Sequence, residues 1–198
     1  MDSTLVHSGK PAVKTEFGLL AALSTTGTDA DWENSIGGKL GLYASRQFGK
    51  NVEMLVELHI QQLQIARTVP HPYPYVISMR ERIDTTRLRV PLSCFLLGET
   101  REGLTPLLGL GIYLDTTLYS RQRQDRDLIS ETQIHRYNIS EENPQYTIGM
   151  SIHWGLRINQ LRVDLRFCHD LTRTDIPSVY GKAFRHTDIG FVLGYPLN

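Results

Sequence analysis

Three things are scarce or absent in this 198-residue sequence, and each excludes a class of protein. No charge predominates, because 21 lysines and arginines balance 21 aspartates and glutamates, so no net field favours nucleic acid or an anionic surface. No run approaches the roughly 18 apolar residues of a membrane-spanning helix. The only cysteines, Cys94 and Cys168, match no metal-ligand spacing. We therefore expect no nucleic-acid partner, no metal and no cofactor.

What is present is alternation, which is clearest between residues 145 and 171. Large apolar residues occupy every second position on both sides of Asn159-Gln160, and small, polar or charged residues fill the positions between. A period of two predicts strands with two unlike faces, and so short a connection predicts an antiparallel hairpin. The apolar positions are Ile148, Met150, Ile152, Trp154, Leu156 and Ile158, then Leu161, Val163, Leu165 and Phe167.

The same alternation recurs along the chain and predicts eight strands of about ten residues. Connections are short after even-numbered strands and long after odd-numbered ones, and no pattern predicts a helix. The sequence therefore predicts an all-β fold, an eight-stranded antiparallel up-and-down β-barrel, since closure removes the sheet edges. The predicted strands are 15–24, 36–47, 54–61, 87–96, 108–115, 145–158, 161–171 and 188–195.

The remaining segments are predicted to be irregular. Residues 1–14 are polar, lack an apolar leader and are expected to be flexible, which leaves 15–198 as a single barrel domain. Residues 66–84 contain three prolines, which argues against a central strand, and the alternation slips near Gln62, which predicts a bulge or a strand end there. Residues 120–144 are predicted to form a long charged loop.

Two features of the faces predict a transmembrane barrel with its apolar side towards lipid. The polar face combines glycines with charges of both signs, as a tightly packed barrel interior requires, since each buried ion needs a partner. Aromatic residues also cluster at both ends of the strands, as at the two interfaces of a bilayer. The alternative is a soluble lipocalin-like barrel whose apolar side lines a binding cavity. The predicted aromatic belts are Phe17, Phe48, Phe95, Trp154 and Tyr195 at the short-turn end and Tyr75, Tyr119, Tyr146, Tyr180 and Phe184 at the other.

The charged residues of the polar face are predicted to form a network that plugs the lumen. Eight strands leave an interior just wide enough for side chains, so we expect no open channel. The predicted network is Lys39, Glu57, His59, Arg87, Arg89, Asp115, His153, Arg157, Arg162, Asp164, Arg166 and Asp188.

Short motifs within these strands resemble the PorT-like outer-membrane β-barrels common in Bacteroidetes. The resemblance covers roughly residues 15–198, and the order and spacing of the motifs carry it. It implies an exported, signal-cleaved protein of the bacterial outer membrane and supplies no active site. The chain departs from the family at Thr86 and Arg89, where Tyr and Glu are frequent, and in ending Tyr-Pro-Leu-Asn. The motifs are Leu55-Val-Glu-Leu-His-Ile-Gln-Gln, Thr86-Arg-Leu-Arg-Val-Pro-Leu, Pro106-Leu-Leu-Gly-Leu-Gly, Gly155-Leu-Arg-Ile and Ile189-Gly-Phe-Val-Leu-Gly-Tyr.

Two pairs of residues could support catalysis, Ser151 with His153 and His169 with Asp170. A lipid A deacylase- or acyltransferase-like enzyme would need Ser, His and an acid at the lipid-facing rim. We expect the histidines to be satisfied members of the interior network instead, and the protein not to be an enzyme.

The loops are the predicted interaction surface. The expected role is a structural or interaction protein, or a small subunit of an outer-membrane assembly, held in outer-membrane lipid and presenting extracellular loops to other outer-membrane or cell-surface proteins. The predicted contact residues are His71, Tyr73 and Tyr75 in the proline-rich segment and Ile134 and Tyr137 in the charged one.

Overall fold

The structure is a computed structural model that describes residues 15–28, 33, 35–73, 75–128, 132–138, 146–173 and 185–197. It describes no side chain within 70–73 or 135–138. The predicted flexible segment 1–14 and the aromatic residues Tyr180 and Phe184 lie outside these ranges. Within the described part of the chain, no helix is long and apolar enough to cross a membrane.

The described chain forms nine antiparallel strands in one sheet. Eight of them close into a ring in the order β1-β2-β3-β4-β5-β7-β8-β9, with β9 paired back to β1, and β6 pairs only with β5 outside the ring. The predicted eight-stranded up-and-down barrel is therefore confirmed. The strands are β1 (Thr15–Thr28), β2 (Ser35–Phe48), β3 (Val52–Tyr73), β4 (Val76–Leu97), β5 (Leu104–Leu128), β6 (Thr132–Asn138), β7 (Tyr146–Ile158), β8 (Leu161–Asp170) and β9 (His186–Pro196).

Two short turns lie where the sequence predicts them. Gly49 follows β2 with a φ of 66°, a left-handed conformation that glycine adopts without a Cβ clash. Asn159 joins β7 to β8 with a φ of 53°, which asparagine tolerates better than most residues. We call this end of the barrel the short-turn end, and the opposite end the long-strand end.

The apolar face of every ring strand points outward. Leu40 and Trp154 are 70% and 69% exposed, whereas Glu57 on the inner face is 2% exposed. On β7 the apolar exterior runs from Ile148 to Ile158, which matches the roughly 9–11 residues of a tilted strand that crosses a hydrocarbon layer. The fold is thus a transmembrane β-barrel, and the alternative with an apolar interior is wrong.

The aromatic belts follow the prediction with two corrections. Phe95 is 0% exposed and points into the barrel, because it shares the inward parity of Ser93 on β4. Tyr75 lies at the tip of the β3–β4 hairpin, far beyond the belt, because both strands continue much further than predicted. The predicted belt residues that point outward near the ends of the apolar exterior are Phe17, Phe48, Trp154 and Tyr195 at the short-turn end and Tyr119 and Tyr146 at the other.

Residues 66–73, 76–84, 120–128 and 132–138 form strands, so both loop predictions are wrong there. The β3–β4 ladder keeps one register from Val52 to Pro70, without the bulge or strand end expected near Gln62. Pairing with β2 ends at Gln62. Among the described residues, β3 beyond Gln62 makes a single isolated bridge on that side, from Ala66 to Glu33, so the proline at position 70 interrupts no ladder there. β5 likewise continues to Leu128 and pairs with β6.

These continuations form a four-stranded sheet, the extension sheet, beyond the apolar exterior at the long-strand end. It consists of residues 62–73 of β3, 76–86 of β4, 119–128 of β5 and all of β6, in that spatial order. Its inner face holds a small apolar core of Leu63, Ile65, Met79 and Ile83, none more than 4% exposed. A packed core of this kind stabilises a sheet rather than independent loops.

Candidate functional site: the charged interior and the extension sheet

The charged side chains inside the barrel form two chains of ion pairs, each with alternating sign. The first chain lies towards the long-strand end and begins with Lys39, whose Nζ is 3.2 Å from Asp188 Oδ2. Arg89 bridges Asp188 and Asp115 at 3.1 and 2.6 Å. Arg87 then joins Asp115 to Asp170 at 3.8 and 4.0 Å. Its members are Lys39, Asp188, Arg89, Asp115, Arg87 and Asp170.

The second chain lies towards the short-turn end. Glu53 pairs with Arg157 at 2.8 Å and with Arg162 at 3.7 Å. Asp164 joins Arg162, at 3.1 Å, to Arg166, at 2.8 Å, and Arg166 also holds Glu57 with both terminal nitrogens. Three cations meet three carboxylates here, as in the first chain, so each chain is neutral. Its members are Arg157, Glu53, Arg162, Asp164, Arg166 and Glu57.

Ten of the twelve predicted network residues therefore lie in these two chains. The other two, His59 and His153, lie inside the barrel between them and are 3% and 1% exposed. His59 Nδ1 is 3.9 Å from Glu57 Oε2, and His153 Nε2 is 2.8 Å from Ser151 Oγ and 3.3 Å from Ser93 Oγ.

Glu53, Asp170 and His186 also face the interior, and the sequence did not predict them as members of the network. Glu53 and Asp170 complete the chains, and His186 Nε2 lies 2.6 Å from Arg87 Nη2. Glu53 and His186 each lie one two-residue step beyond the end of a predicted inward pattern. Asp170 lies two such steps beyond Arg166, inside the predicted strand 161–171, and was predicted only as a catalytic partner of His169. Continuing the alternation of β3, β8 and β9 would have placed all three on the inner face.

Aromatic rings lie over the inward glycines and complete the packing. A Cβ on Gly18 would meet the Tyr43 ring, one on Gly109 would lie 2.5 Å from the Phe95 ring, and one on Gly149 would meet the Tyr113 ring. Two of the rings carry a guanidinium, because Arg162 lies 3.9 Å from the Phe95 centroid and Arg89 4.0 Å from that of Tyr113. The glycines thus make room for rings, and the rings support the charges.

The interior is filled at mid-height. A cavity of about 10 Å³, room for roughly one water molecule, lies between the two chains and is lined by residues that include Lys39, His59, Tyr113 and Ser151. An aqueous channel needs far more width than this.

The two predicted catalytic pairs differ in geometry. Ser151 and His153 are brought together, but both are at most 2% exposed inside the barrel, and His153 Nδ1 has no hydrogen-bond partner among the described residues. His169 and Asp170 are not brought together, because adjacent strand residues face opposite sides. His169 bonds Thr187 Oγ1 at 3.0 Å on the outside, whereas Asp170 accepts a 2.7 Å bond from Tyr113 inside. The described residues contain no cluster of histidine, cysteine and acidic side chains suited to a metal ion.

The inner face of the extension sheet is held by one buried carboxylate. Glu81 is 0% exposed and accepts a 2.6 Å bond from Arg67 Nε. Gln122 and Gln124 on β5 donate to its other oxygen at 3.3 and 2.9 Å. These bonds tie β3, β4 and β5 together beyond the barrel, because a buried charge with three donors fixes the strands that supply them.

The outer face and tip of the extension sheet are exposed. Of the predicted loop contacts, Tyr75 is 76% and Ile134 52% exposed, and the side chains of His71, Tyr73 and Tyr137 lie outside the described residues. Ile77, beside Tyr75 at the tip, is 51% exposed and was not predicted.

No protein-family model and no curated protein matches the sequence. Similar solved structures include Neisserial surface protein A, with 13% identity over 91% of this chain and 96% of that chain and a TM-score of 0.46. The attachment invasion locus protein Ail of Yersinia pestis has 9% identity over 92% and 97% of the two chains and a TM-score of 0.41. The β-barrel domain of Pseudomonas aeruginosa OprF has 12% identity over 92% and 100%, with a TM-score of 0.30. At these values the likeness carries no inference about ligand, partner or activity.

Proposed function

We propose that this chain is a structural or interaction protein of the bacterial outer membrane, of the PorT-like type that its motifs resemble. In this proposal the barrel is the anchor. The extension sheet is the extracellular surface on which another outer-membrane or cell-surface protein docks, so the chain can serve as a small subunit of a larger assembly.

The observation that carries this proposal is the length and order of three strands. β3, β4 and β5 have 22, 22 and 25 residues, whereas β7, β8 and β9 have 13, 10 and 11. Spanning a bilayer needs only about ten residues, so the excess has another use. Since the excess is a sheet with its own core and a buried Glu81, it presents a preformed surface, which lowers the entropy cost of binding.

The exposed side chains at the tip fit a protein partner. Tyr75 and Ile77 give a rigid aromatic and a β-branched apolar side chain next to three prolines, and interfaces favour such groups. The filled interior supports the same role, because it leaves the outer surfaces as the places where a partner can bind.

The test is site-specific photo-crosslinking in intact cells, with a benzophenone amino acid in place of Tyr75 or Ile77. The matched control is Arg101, an exposed residue in the connection between β4 and β5 at the short-turn end. We expect a discrete crosslinked adduct from both tip positions and none of the same mass from position 101. No adduct from either tip position, or the same adduct from all three, would contradict the proposal.

We also propose that the protein is not an enzyme. Ser151 Oγ and His153 Nε2 are hydrogen-bonded at 2.8 Å, which favours the acyl-transfer alternative, but both lie inside the ring while lipid lies outside it. The combined substitutions Ser151→Ala and His153→Ala should leave the acylation pattern of lipid A unchanged by mass spectrometry. An altered pattern, with the heat-dependent gel mobility of the folded barrel preserved, would establish the enzyme instead.

A further inference from the structure

Arginine is concentrated on the outward face of the extension sheet, although the whole chain has no net charge. Arg82 on β4 is directly opposite Arg123 on β5, and Arg123 is in turn directly opposite Arg136 on β6. Arg121 is two residues from Arg123 on the same face. Like charges directly opposite each other destabilise a sheet unless an anion lies between them.

Among the side chains that the structure describes, the carboxylates of this face pair with only one of these arginines, Arg123. Asp84 is opposite Arg121 in the register, yet its Oδ1 accepts a 2.6 Å bond from Gln64 Nε2. Arg123 Nε donates to Asp125 at 2.8 Å. Among the described residues, Arg82 and Arg121 make no hydrogen bond or ion pair, whereas every arginine of the two interior chains faces at least one carboxylate.

The distance of these residues from the hydrocarbon core of the bilayer follows from the apolar exterior below them. Leu118 and Tyr119 are 52% and 44% exposed and mark its upper edge on β5. Arg121 and Arg123 follow two and four residues later, roughly 7 and 13 Å further along the strand. A strand that tilts by about 40° rises by about three quarters of these distances. The headgroup layer adds about 5–8 Å to each side of the hydrocarbon core, so Arg121 lies within this layer and Arg123 lies just beyond it.

We propose that Arg82, Arg121 and Arg123 bind the phosphate of a lipid headgroup in the leaflet at the long-strand end. Guanidinium groups hold phosphate oxygens through paired, charge-assisted hydrogen bonds, and cross-strand neighbours are close enough to share one phosphate. The acyl chains of the same lipid then lie against Leu88, Leu118 and Tyr119 directly below. This surface lies on the flank of the sheet and is separate from the protein-docking tip, although it rests on the proposed membrane orientation.

The test measures which lipids stay bound to the protein. Wild type and the variants Arg121→Gln and Arg82→Gln/Arg121→Gln are refolded into vesicles of equal parts phosphatidylcholine and phosphatidic acid, then extracted in mild detergent. Retained lipid is quantified by mass spectrometry. Wild type should be enriched in phosphatidic acid, and the enrichment should fall roughly fivefold with each arginine removed.

The matched control is Arg101→Gln at the short-turn end, which should retain the wild-type enrichment. Equal lipid ratios in wild type and the double variant, or an equal loss with Arg101→Gln, would overturn the proposal. Loss of the enrichment in millimolar inorganic phosphate would assign the site to free phosphate and overturn the lipid assignment. Heat-dependent gel mobility of every variant reports insertion separately, so failure of lipid binding is distinguishable from failure of the membrane barrel itself.

Discussion

At the scale of single residues, three inward aromatic rings decide how this narrow barrel is filled. Tyr43, Phe95 and Tyr113 each lie over a glycine of a neighbouring strand, and Tyr113 also donates a 2.7 Å hydrogen bond to Asp170. A methyl group at such a glycine would displace a ring and the guanidinium stacked on it. The arrangement of the ion-pair chains therefore depends on these glycines as well as on the charged residues.

The first prediction concerns Gly149, whose added Cβ would collide with the Tyr113 ring. Gly149→Ala should lower the free energy of unfolding by about 1–3 kcal/mol, because overpacking forces the ring out of place. The measurement is guanidinium-induced unfolding in lipid vesicles. Gly38→Ala is the control, since nothing lies within 4 Å of its added Cβ, and its stability should be unchanged or slightly higher. Equal effects of the two substitutions would refute the packing role.

The second prediction concerns the pair of Glu57 and Arg166, which are buried and doubly hydrogen-bonded. Glu57→Gln and Arg166→Met should each destabilise by about 3–5 kcal/mol, since each removes the doubly hydrogen-bonded partner of a buried charge. The double variant should lose at least about 1 kcal/mol less than the sum. The control cycle uses Glu99→Gln and Arg101→Met, an ion pair that is 84–86% exposed and should show coupling close to zero.

At the scale of elements, the extension sheet marks the point beyond which the alternation of apolar and polar residues no longer predicts the strands. The ring strands were predictable because one face meets lipid and the other meets charge, so polarity changes at every residue. Beyond the apolar exterior the outward face of β4 is polar, and its inward face mixes the charged Glu81 with the apolar Met79 and Ile83. Apolar and polar residues therefore no longer alternate regularly there, although the strand continues. The prolines of residues 66–84 also favoured the wrong prediction of a loop, because the sequence does not show that β3 is an edge strand at Pro70.

The interior was predictable in membership but not in arrangement. Parity alone placed Arg87, Arg89 and Asp115 on the inner face. Which cation meets which carboxylate depends on the register and the ring order, which bring Lys39 of β2 to Asp188 of β9. The division into two neutral chains could not be read from the sequence for that reason.

A third prediction follows for the extension sheet as an element. Residues 64–84 are replaced by Asn-Gly, so that the paired residues Leu63 and Thr85 flank a two-residue hairpin turn. The ring should still close, because its apolar exterior and both ion-pair chains are intact. The shortened protein should keep the heat-dependent mobility shift. A benzophenone amino acid in place of Ile134 should crosslink the partner in the full-length protein and no longer do so in the shortened one. A barrel that no longer folds would show that the sheet is part of the ring's own stability.

At the scale of the whole molecule, the accessibility of the two cysteines to thiol reagents distinguishes the outer face of the barrel from its inner face. Cys94 points outward among apolar residues of β4, whereas Cys168 points inward and is 5% exposed. The fourth prediction is that in vesicles a lipid-soluble maleimide modifies Cys94 alone. A membrane-impermeant maleimide should modify neither cysteine until the protein is unfolded. Rapid labelling of Cys168, or of Cys94 by the impermeant reagent, would be incompatible with this orientation.

The pairing across the ring also dictates the order of events when the barrel is made. Glu57 and Arg166 are separated by 109 residues, and Lys39 and Asp188 by 149, so neither pair exists while the first and last strands are apart. A half-finished barrel in a bilayer would hold these ions unpaired beside lipid, at a cost of several kcal/mol. We expect this cost to disfavour stepwise insertion of hairpins and to make the pairing of β9 with β1 a single late, cooperative event. Contacts of such long range also make that event slow, and an assembly factor that brings the two edges together would act on this step.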